Sequence, residues 1–395
     1  MDIYKESLDL HKKNKGKLGI ISKVPLKDKK DLSLAYTPGV AEPCREIAKD
    51  VSKAYEYTIK QNTIGVVTDG SAVLGLGNIG AEAALPVMEG KCILMKEFAD
   101  IDAFPICIKT QDPKEIVSIV KNIAPVFGGI NLEDISAPRC FEIEKELQGI
   151  GIPVFHDDQH GTAIVILAAL INSLKIVGKK FEDITLVING AGAAGIAITK
   201  FLKCVDIKSS LYPPVKDIIV VDTKGIIHRN RDDLNEIKKE ISVFTNKNNI
   251  KGSLADAMKN ADVFIGVSAP NSVTEEMIKS MNKRAIVFAM SNPVPEIMPD
   301  IALKAGAEIV GTGRSDFPNQ INNVLAFPGV FRGALDAKAK VITPEMKYAA
   351  AYALAKCVKN PKKEEVLPNP LDKNVPKVIA EAVRLKAIEQ GVVRD

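Results

Sequence analysis

Cysteine is scarce and unpaired in sequence: six are scattered over 395 residues, and no C-x-x-C occurs. That pattern fits thiols left free in a reducing compartment, so a cytoplasmic location is expected. Long apolar runs are missing too. The longest, Ala163–Ile171, is far short of a membrane span, and no membrane partner is expected. The first six residues, Met1-Asp2-Ile3-Tyr4-Lys5-Glu6, are polar and charged and hold no signal-peptide core. Charge of one sign is not in great excess; the net value of +4 is a weak bias towards anionic ligands. The first thirty residues are lysine-rich, yet no aromatics are interleaved among those lysines. They read as a solvated surface segment and not as a nucleic-acid-binding arm. No internal repeat is visible.

A chain of this length exceeds one ordinary core, so two domains are the default, expected at residues 1–160 and 161–395. The stretch Phe155-His156-Asp157-Asp158-Gln159-His160-Gly161-Thr162 joins them. An apolar β-like run, Ile152–Phe155, leads in, and a helix-like run, Thr162–Lys175, leads out. Two adjacent carboxylates therefore fall where a strand ends, the usual ligand position in an open α/β sheet. A second acidic pair, Glu133-Asp134, closes the run from Gly128 to Leu132. The segment between, Cys140–Leu147, is long enough for a crossover helix. A strand–helix–parallel strand unit brings both strand ends to one sheet edge. Glu133, Asp134, Asp157 and Asp158 then converge, and such a cluster calls for a hard cation, Mg²⁺ or Mn²⁺. His156 and His160 have zinc-like spacing, but the neighbouring carboxylates favour the harder ion.

The first half alternates strands and helices: Thr63–Thr68 and Phe104–Lys109 as strands, with a helix after Asp112-Pro113. Tyr36 precedes the turn Thr37-Pro38-Gly39 and reads either as packing or as a held phenol. Lys91 stands against the run Cys92–Met95. It is either a surface lysine or one whose pKa is lowered by desolvation into the range of a base. The pattern Gly75, Gly77, Gly80 is a weak dinucleotide signal, because it lies several residues beyond its strand; a structural or substrate-edge loop is preferred. In the second half the context is right. Strand Ile184–Asn189 runs directly into Gly190-Ala191-Gly192-Ala193-Ala194-Gly195 and a helix. Gly190 permits the tight turn, Gly192 the backbone approach to a pyrophosphate, and Gly195 the helix-on-strand packing. Residues 208–216 read as a loop. Asp222, ending the next strand, is placed to bind a ribose hydroxyl, and later strand ends such as Ser268 and Asn292 are candidate cofactor contacts. The amide-rich loop with Asn322 and Asn323 reads either as ordinary turn chemistry or as amides that hydrogen-bond a substrate carboxylate.

Six ordered motifs carry a family resemblance over nearly the whole chain: Ala35-Tyr36-Thr37-Pro38-Gly39-Val40, Thr68–Gly77, Gly90-Lys91, Glu133-Asp134, Phe155–Thr162, and Ser291-Asn292-Pro293 with Asn322-Asn323. The chain resembles a malic enzyme of the short bacterial type. The resemblance implies an N-terminal α/β catalytic domain followed by a Rossmann-type, doubly wound parallel-sheet domain. It implies oxidative decarboxylation of L-malate to pyruvate and CO₂ with NAD or NADP. It assigns Glu133, Asp134 and Asp158 as metal ligands, Lys91 as base, Tyr36 as acid, and Asp157 as the neighbour positioning Lys91. Asn292, Asn322, Asn323 and Lys91 become substrate contacts, and Gly190, Gly192, Ala193, Ala194, Gly195, Asp222, Ser268 and Asn292 cofactor contacts. A homodimer is implied as well. One departure is plain: longer relatives carry an acid–arginine pair after Asp-Gly, where this chain has Ser71-Ala72. Two other readings stay open at this point. One is a different two-domain NAD-linked dehydrogenase acting on an amino acid or a folate; the other is a non-enzymatic dinucleotide sensor.

Overall fold

The computed structural model describes residues 2–207 and 213–394, so most of the loop expected at 208–216 lies outside the described residues. Two parallel sheets follow one another along the chain. The first holds β1 (Thr63–Thr68), β2 (Asp102–Cys107), β3 (Gly129–Leu132) and β4 (Val154–His156), in the order β2-β1-β3-β4. Before it comes an arm: α1 (Ile3–Asn14), α2 (Lys29–Ala35), α3 (Ala41–Lys49) and α4 (Ala54–Tyr57). None of these four helices buries a residue. The sheet's crossovers are α5 (Ala81–Ala99), α6 (Pro113–Ile123) and α7 (Arg139–Leu147). Asp112 caps α6 through its carboxylate, with Pro113 at the first helical position, as the sequence suggests. The β2 strand lies two residues earlier than its apolar pattern indicates.

Register decides where function can sit. Val67 pairs with Leu132, and Leu132 with His156. The residues that follow, Asp69, Glu133 and Asp157, therefore emerge along one edge. The strand order also reverses between β1 and β3, which opens a crevice at that edge.

Next comes α8 (Asp157–Val177), which begins five residues earlier than the expected Thr162. His156 is still extended, and the chain turns helical at Asp157 itself. Asp157 and Asp158 thus occupy a helix N-terminus, where unpaired N–H groups favour negative charge. By length and apolarity α8 could pass for a membrane span, but it is mostly buried as a core helix against later elements. The expected boundary at 160/161 falls inside it.

The second sheet holds β5 (Thr185–Asn189), β6 (Asp217–Asp222), β7 (Gly225–Ile226), β8 (Val263–Gly266), β9 (Ala285–Ala289) and β10 (Ala307–Thr312). Their order is β10-β9-β8-β5-β6-β7, parallel except for the edge hairpin β6–β7, which the sequence did not reveal. It is the doubly wound arrangement expected, with α9 (Ala193–Leu202), α10 (Glu236–Phe244), α11 (Leu254–Met258), α12 (Glu275–Lys279) and α13 (Pro299–Lys304) between strands. Three C-terminal helices complete the chain: α14 (Phe327–Asp336), α15 (Pro344–Lys356) and α16 (Val375–Glu389). α15 packs on α8, while α14 reaches back to α5, so the C-terminal helices tie the two halves together. Asn172 of α8 secures this join by donating to the carbonyls of Ala355 and Val366, both at 2.9 Å.

Candidate active site

Lys91 lies on the inward face of α5, in line with Ala84, Met88, Cys92 and Met95. Helical spacing alone carries its ammonium into the interior. There it meets Asp157 Oδ2 at 2.6 Å and Glu133 Oε1 at 3.0 Å, above the ring of Phe327. Burial alone would lower its pKa, but Asp157 and Glu133 more than reverse this and hold it above the ordinary lysine value. Of the two readings of Lys91, the structure overturns the surface lysine: the side chain is buried, and the neighbouring carboxylates offset the cost of burying its charge.

The carboxylates carry the opposite strain. Burial pushes Asp157 up to about 7 although Lys91 pulls the other way. Burial likewise raises Glu133 and Asp158, which repel one another. One oxygen each from Glu133, Asp134 and Asp158 lies within 4.8 Å of the others. Three oxygen donors so clustered, two of them buried, are suited to a small, hard divalent cation. Their supports are specific. Asn131 Nδ2 donates to Glu133 at 2.8 Å, and the Asp134 N–H donates to Asp158 Oδ2 at 2.8 Å. Asp134 adopts a left-handed φ of 54°, which aspartate tolerates better than most residues. Asn323 Nδ2 donates to Asp157 at 2.6 Å. A Cβ on Gly161 would sit 1.8 Å from Asp157 Oδ1, so only glycine leaves that carboxylate its place.

A cavity of about 580 Å³ opens onto this cluster. Lys91, Glu133, Asp134 and Asp158 line one wall; Gly192, Ala193, Ala194, Ser268 and Asn292 line the other, with Asn322 and Asn323 between. The Asn322 side chain also caps the Val324 N–H. Gly75 fits closely against this wall, since a Cβ there would lie 2.5 Å from the Asn292 carbonyl. That contact places the Gly75–Gly80 loop at the substrate edge.

Ser268 also lines a second cavity, of about 880 Å³, which runs past Asn189 to Asp222, Lys224 and Arg231. Together the two form the crevice of a dinucleotide fold. Gly190 has φ 122°, and a Cβ there would meet Val267 O at 2.6 Å. A Cβ on Gly195 would strike Gly190 O at 1.8 Å, whereas one on Gly192 meets nothing within 4 Å. Two of the three glycines are thus required by packing, and the third faces open space.

Asp222 differs from expectation. Its two oxygens already accept from Arg231 (2.8 and 3.1 Å), Lys238 (2.6 Å) and the Lys224 N–H (2.9 Å). A ribose would have to share them. Nothing in the local pattern of Arg231 or Lys238 marks them as partners of Asp222; Arg231 comes from the segment after β7 and Lys238 from α10.

Glu144 is a second residue that sequence reasoning missed. Buried on α7, it accepts from the His156 N–H (3.3 Å), Gln159 Nε2 (3.1 Å) and His160 Nε2 (2.7 Å). Burial would raise its pKa, but the histidine contacts bring it down to about 2. Glu144 thereby fastens the first turn of α8 from behind. His160, so engaged, is not part of the carboxylate cluster.

Tyr36 is not brought to the cleft. It ends α2, is 67% exposed, and is not among the residues lining the cavity.

Comparison with known proteins gives a uniform result. The family model described as "Malic enzyme, NAD binding domain" matches residues 159–388, and "Malic enzyme, N-terminal domain" matches residues 15–114 and 109–148. The chain is 56% identical to the bifunctional malic/malolactic enzyme of Bacillus subtilis, covering 100% of this chain and 95% of that protein. It is 56% identical to the NAD-dependent malic enzyme of Geobacillus stearothermophilus, covering 96% and 78%. Among solved structures, malic enzyme from Pyrococcus horikoshii superposes with a TM-score of 0.93 at 50% identity, over 99% of this chain and 92% of that one.

Proposed function

The chain belongs to the malic enzyme family, and from that premise we propose how its residues take L-malate to pyruvate and CO₂ with reduction of NAD or NADP. The observation that carries the assignment is the Lys91–Asp157 pair set beside three clustered carboxylates at the mouth of a dinucleotide crevice. The alternative of a dinucleotide sensor leaves that cluster without a use.

Glu133, Asp134 and Asp158 would hold Mg²⁺ or Mn²⁺. Bound there, the ion supplies a Lewis acid for the C2 oxygen of the substrate and a positive charge that lowers the pKa of Lys91. Gly190, Gly192, Ala193, Ala194 and Gly195 would hold the dinucleotide pyrophosphate, with Asp222 towards the ribose and Ser268 along the path to the nicotinamide, the hydride acceptor. Asn292, Asn322 and Asn323 are the amides available to the substrate carboxylates. Lys91 takes the C2 hydroxyl proton as oxidation proceeds. Asp157 and Asn323 fix its position, and Glu133 stabilises the ammonium that results. Loss of CO₂ leaves an enol that needs a proton at C3, and the phenol of Tyr36 is the acid assigned to that step.

We propose a homodimer as the working form, a reading supported by the exposed apolar arm. A cytoplasmic location is supported by six cysteines, none of them in a disulfide among the described residues. The test of the reaction is absorbance of reduced nicotinamide with L-malate and Mn²⁺, run with NAD and with NADP. A signal abolished by chelator, with pyruvate as product, is expected. Silence from folded enzyme with both cofactors would refute the reading.

A further inference from the structure

A third cavity, of about 700 Å³, shares no lining residue with the two that form the cleft. Residues of α7, α8, α9, α10 and α15 enclose it. Two helix beginnings part it from the cleft. In the first turn of α8, Asp158 lines the cleft while Gln159 and His160 line this cavity. At the start of α9, Ala193 and Ala194 line the cleft while Ile196 and Ala197 line the cavity. The turn that carries Asp158 and the turn offered to a pyrophosphate are thus its front wall.

The reaction gives this cavity no task, yet it holds an unanswered charge. Lys347, on α15, lines it and is partly buried. Among the described residues its ammonium makes no hydrogen bond and no ion pair; it stands 5.9 Å from the centre of the Phe155 ring. Burial holds its pKa below the ordinary lysine value, although Glu144 and Asp206 favour its charge without closing on it. The other charges are engaged or exposed. Glu144 already accepts from His156, Gln159 and His160, and Lys200 pairs with Glu240 at 2.7 Å. Lys145 and Asp206, one of each sign, line the cavity from exposed positions. Buried Ile196, Phe201 and Ile342 supply an apolar lining.

One partly desolvated cation beside a hydrocarbon wall fits one kind of ligand. A carboxylate on a short apolar body would give Lys347 a charge-assisted hydrogen bond and cover Ile196, Phe201 and Ile342. A neutral hydrocarbon would leave Lys347 unpaired, and a dianion would find a single inner cation.

We propose that this cavity is a regulatory site for a small organic monocarboxylate held by Lys347, and that its occupation tightens the metal site across the partition. The binding step stands apart from the malic enzyme reading; the coupling rests on the metal ligands assigned above. Its sense follows from charge. Lys347 is a positive charge behind the turn that carries Asp158, and it opposes the arrival of a divalent cation. An anion paired with Lys347 cancels that opposition. The coupling is mutual, so bound Mn²⁺ tightens the carboxylate by the same factor.

Hexanoate is the probe, titrated calorimetrically into Mn²⁺-loaded enzyme, with inorganic phosphate and hexanol as controls for charge and for hydrocarbon. Hexanoate is expected to bind saturably, and each control at least about tenfold more weakly. Lys347→Met, which keeps an apolar stem, is expected to lose about tenfold in hexanoate affinity, while Lys347→Arg retains it within about threefold. Hexanoate that binds Lys347→Met as tightly as wild type would sit elsewhere and overturn the site. So would no binding to the wild type, equal binding of either control, or loss in folded Lys347→Arg as deep as in Lys347→Met. Mn²⁺ titration followed by electron paramagnetic resonance tests the coupling. Saturating hexanoate is expected to tighten Mn²⁺ about threefold, and Lys347→Met to reproduce that tightening without hexanoate. Equal Mn²⁺ affinity with and without hexanoate would overturn the coupling. A protein that binds no Mn²⁺ at all would fail the metal reading, and the coupling with it.

Discussion

The two walls of the cleft are built on opposite principles. The substrate wall is made of side chains that constrain one another: Lys91 against Asp157 and Glu133, Asp134 against Asp158, Asn323 against Asp157. The dinucleotide wall is made by leaving side chains out, at Gly190, Gly192 and Gly195. One wall stores charge that a ligand must balance; the other presents backbone and space. Damage to the first should therefore appear in turnover and metal affinity, and damage to the second in dinucleotide affinity.

Lys91→Ala should separate the walls most sharply. Turnover is expected to fall about a thousandfold, in line with loss of a general base, while dinucleotide affinity measured by fluorescence titration stays within about twofold. A parallel loss of dinucleotide affinity would break the distinction. Asp158→Asn is expected next, weakening Mn²⁺ binding by about a hundredfold and again sparing the dinucleotide. In the other wall, Gly192→Val is expected to raise KM for the dinucleotide about tenfold and leave Tm unmoved, because the added side chain meets solvent and not protein. A fall in Tm would show that Gly192 is a packing glycine after all.

The smallest effect is assigned to Glu144, which supports the substrate wall from behind. Its carboxyl sits at about 2 when folded, below its ordinary 4.5. A depressed acid contributes stability that is complete above the unfolded value and disappears as pH falls through the folded one. The Tm gap between wild type and Glu144→Gln should therefore be widest above pH 4.5 and close towards pH 2. A gap that widens on acidification would contradict the charge assignment.

Much of this was legible in the residues because it depends on short-range spacing. A strand running straight into Gly190–Gly195 fixes a phosphate turn locally. Two acidic pairs, each at the end of an apolar run and separated by one helix-length, fix a carboxylate edge. What was not legible depends on distant partners. Arg231 and Lys238 reach Asp222 from the segment after β7 and from α10, contacts that leave no sequence pattern. Glu144 looks like any polar residue on an amphipathic helix until α8 docks above it. The direction of the Lys91 shift also needed the fold, since desolvation and two carboxylates act oppositely and only distances decide between them. Helical spacing from Ala84 through Met88 to Met95 could have placed Lys91 inward, and that signal was available.

The unbroken course of α8 has a further consequence, for divisibility. Its first two residues belong to the metal and lysine cluster, and the remainder forms the spine of the dinucleotide half. A cut placed between the sheets at residue 156 would leave the first fragment without Asp157 and Asp158. A cut after residue 177 would strip the second fragment of the helix on which α9 and α15 rest. The halves are thus poor units of exchange: a transplanted dinucleotide domain would carry part of another protein's metal site with it.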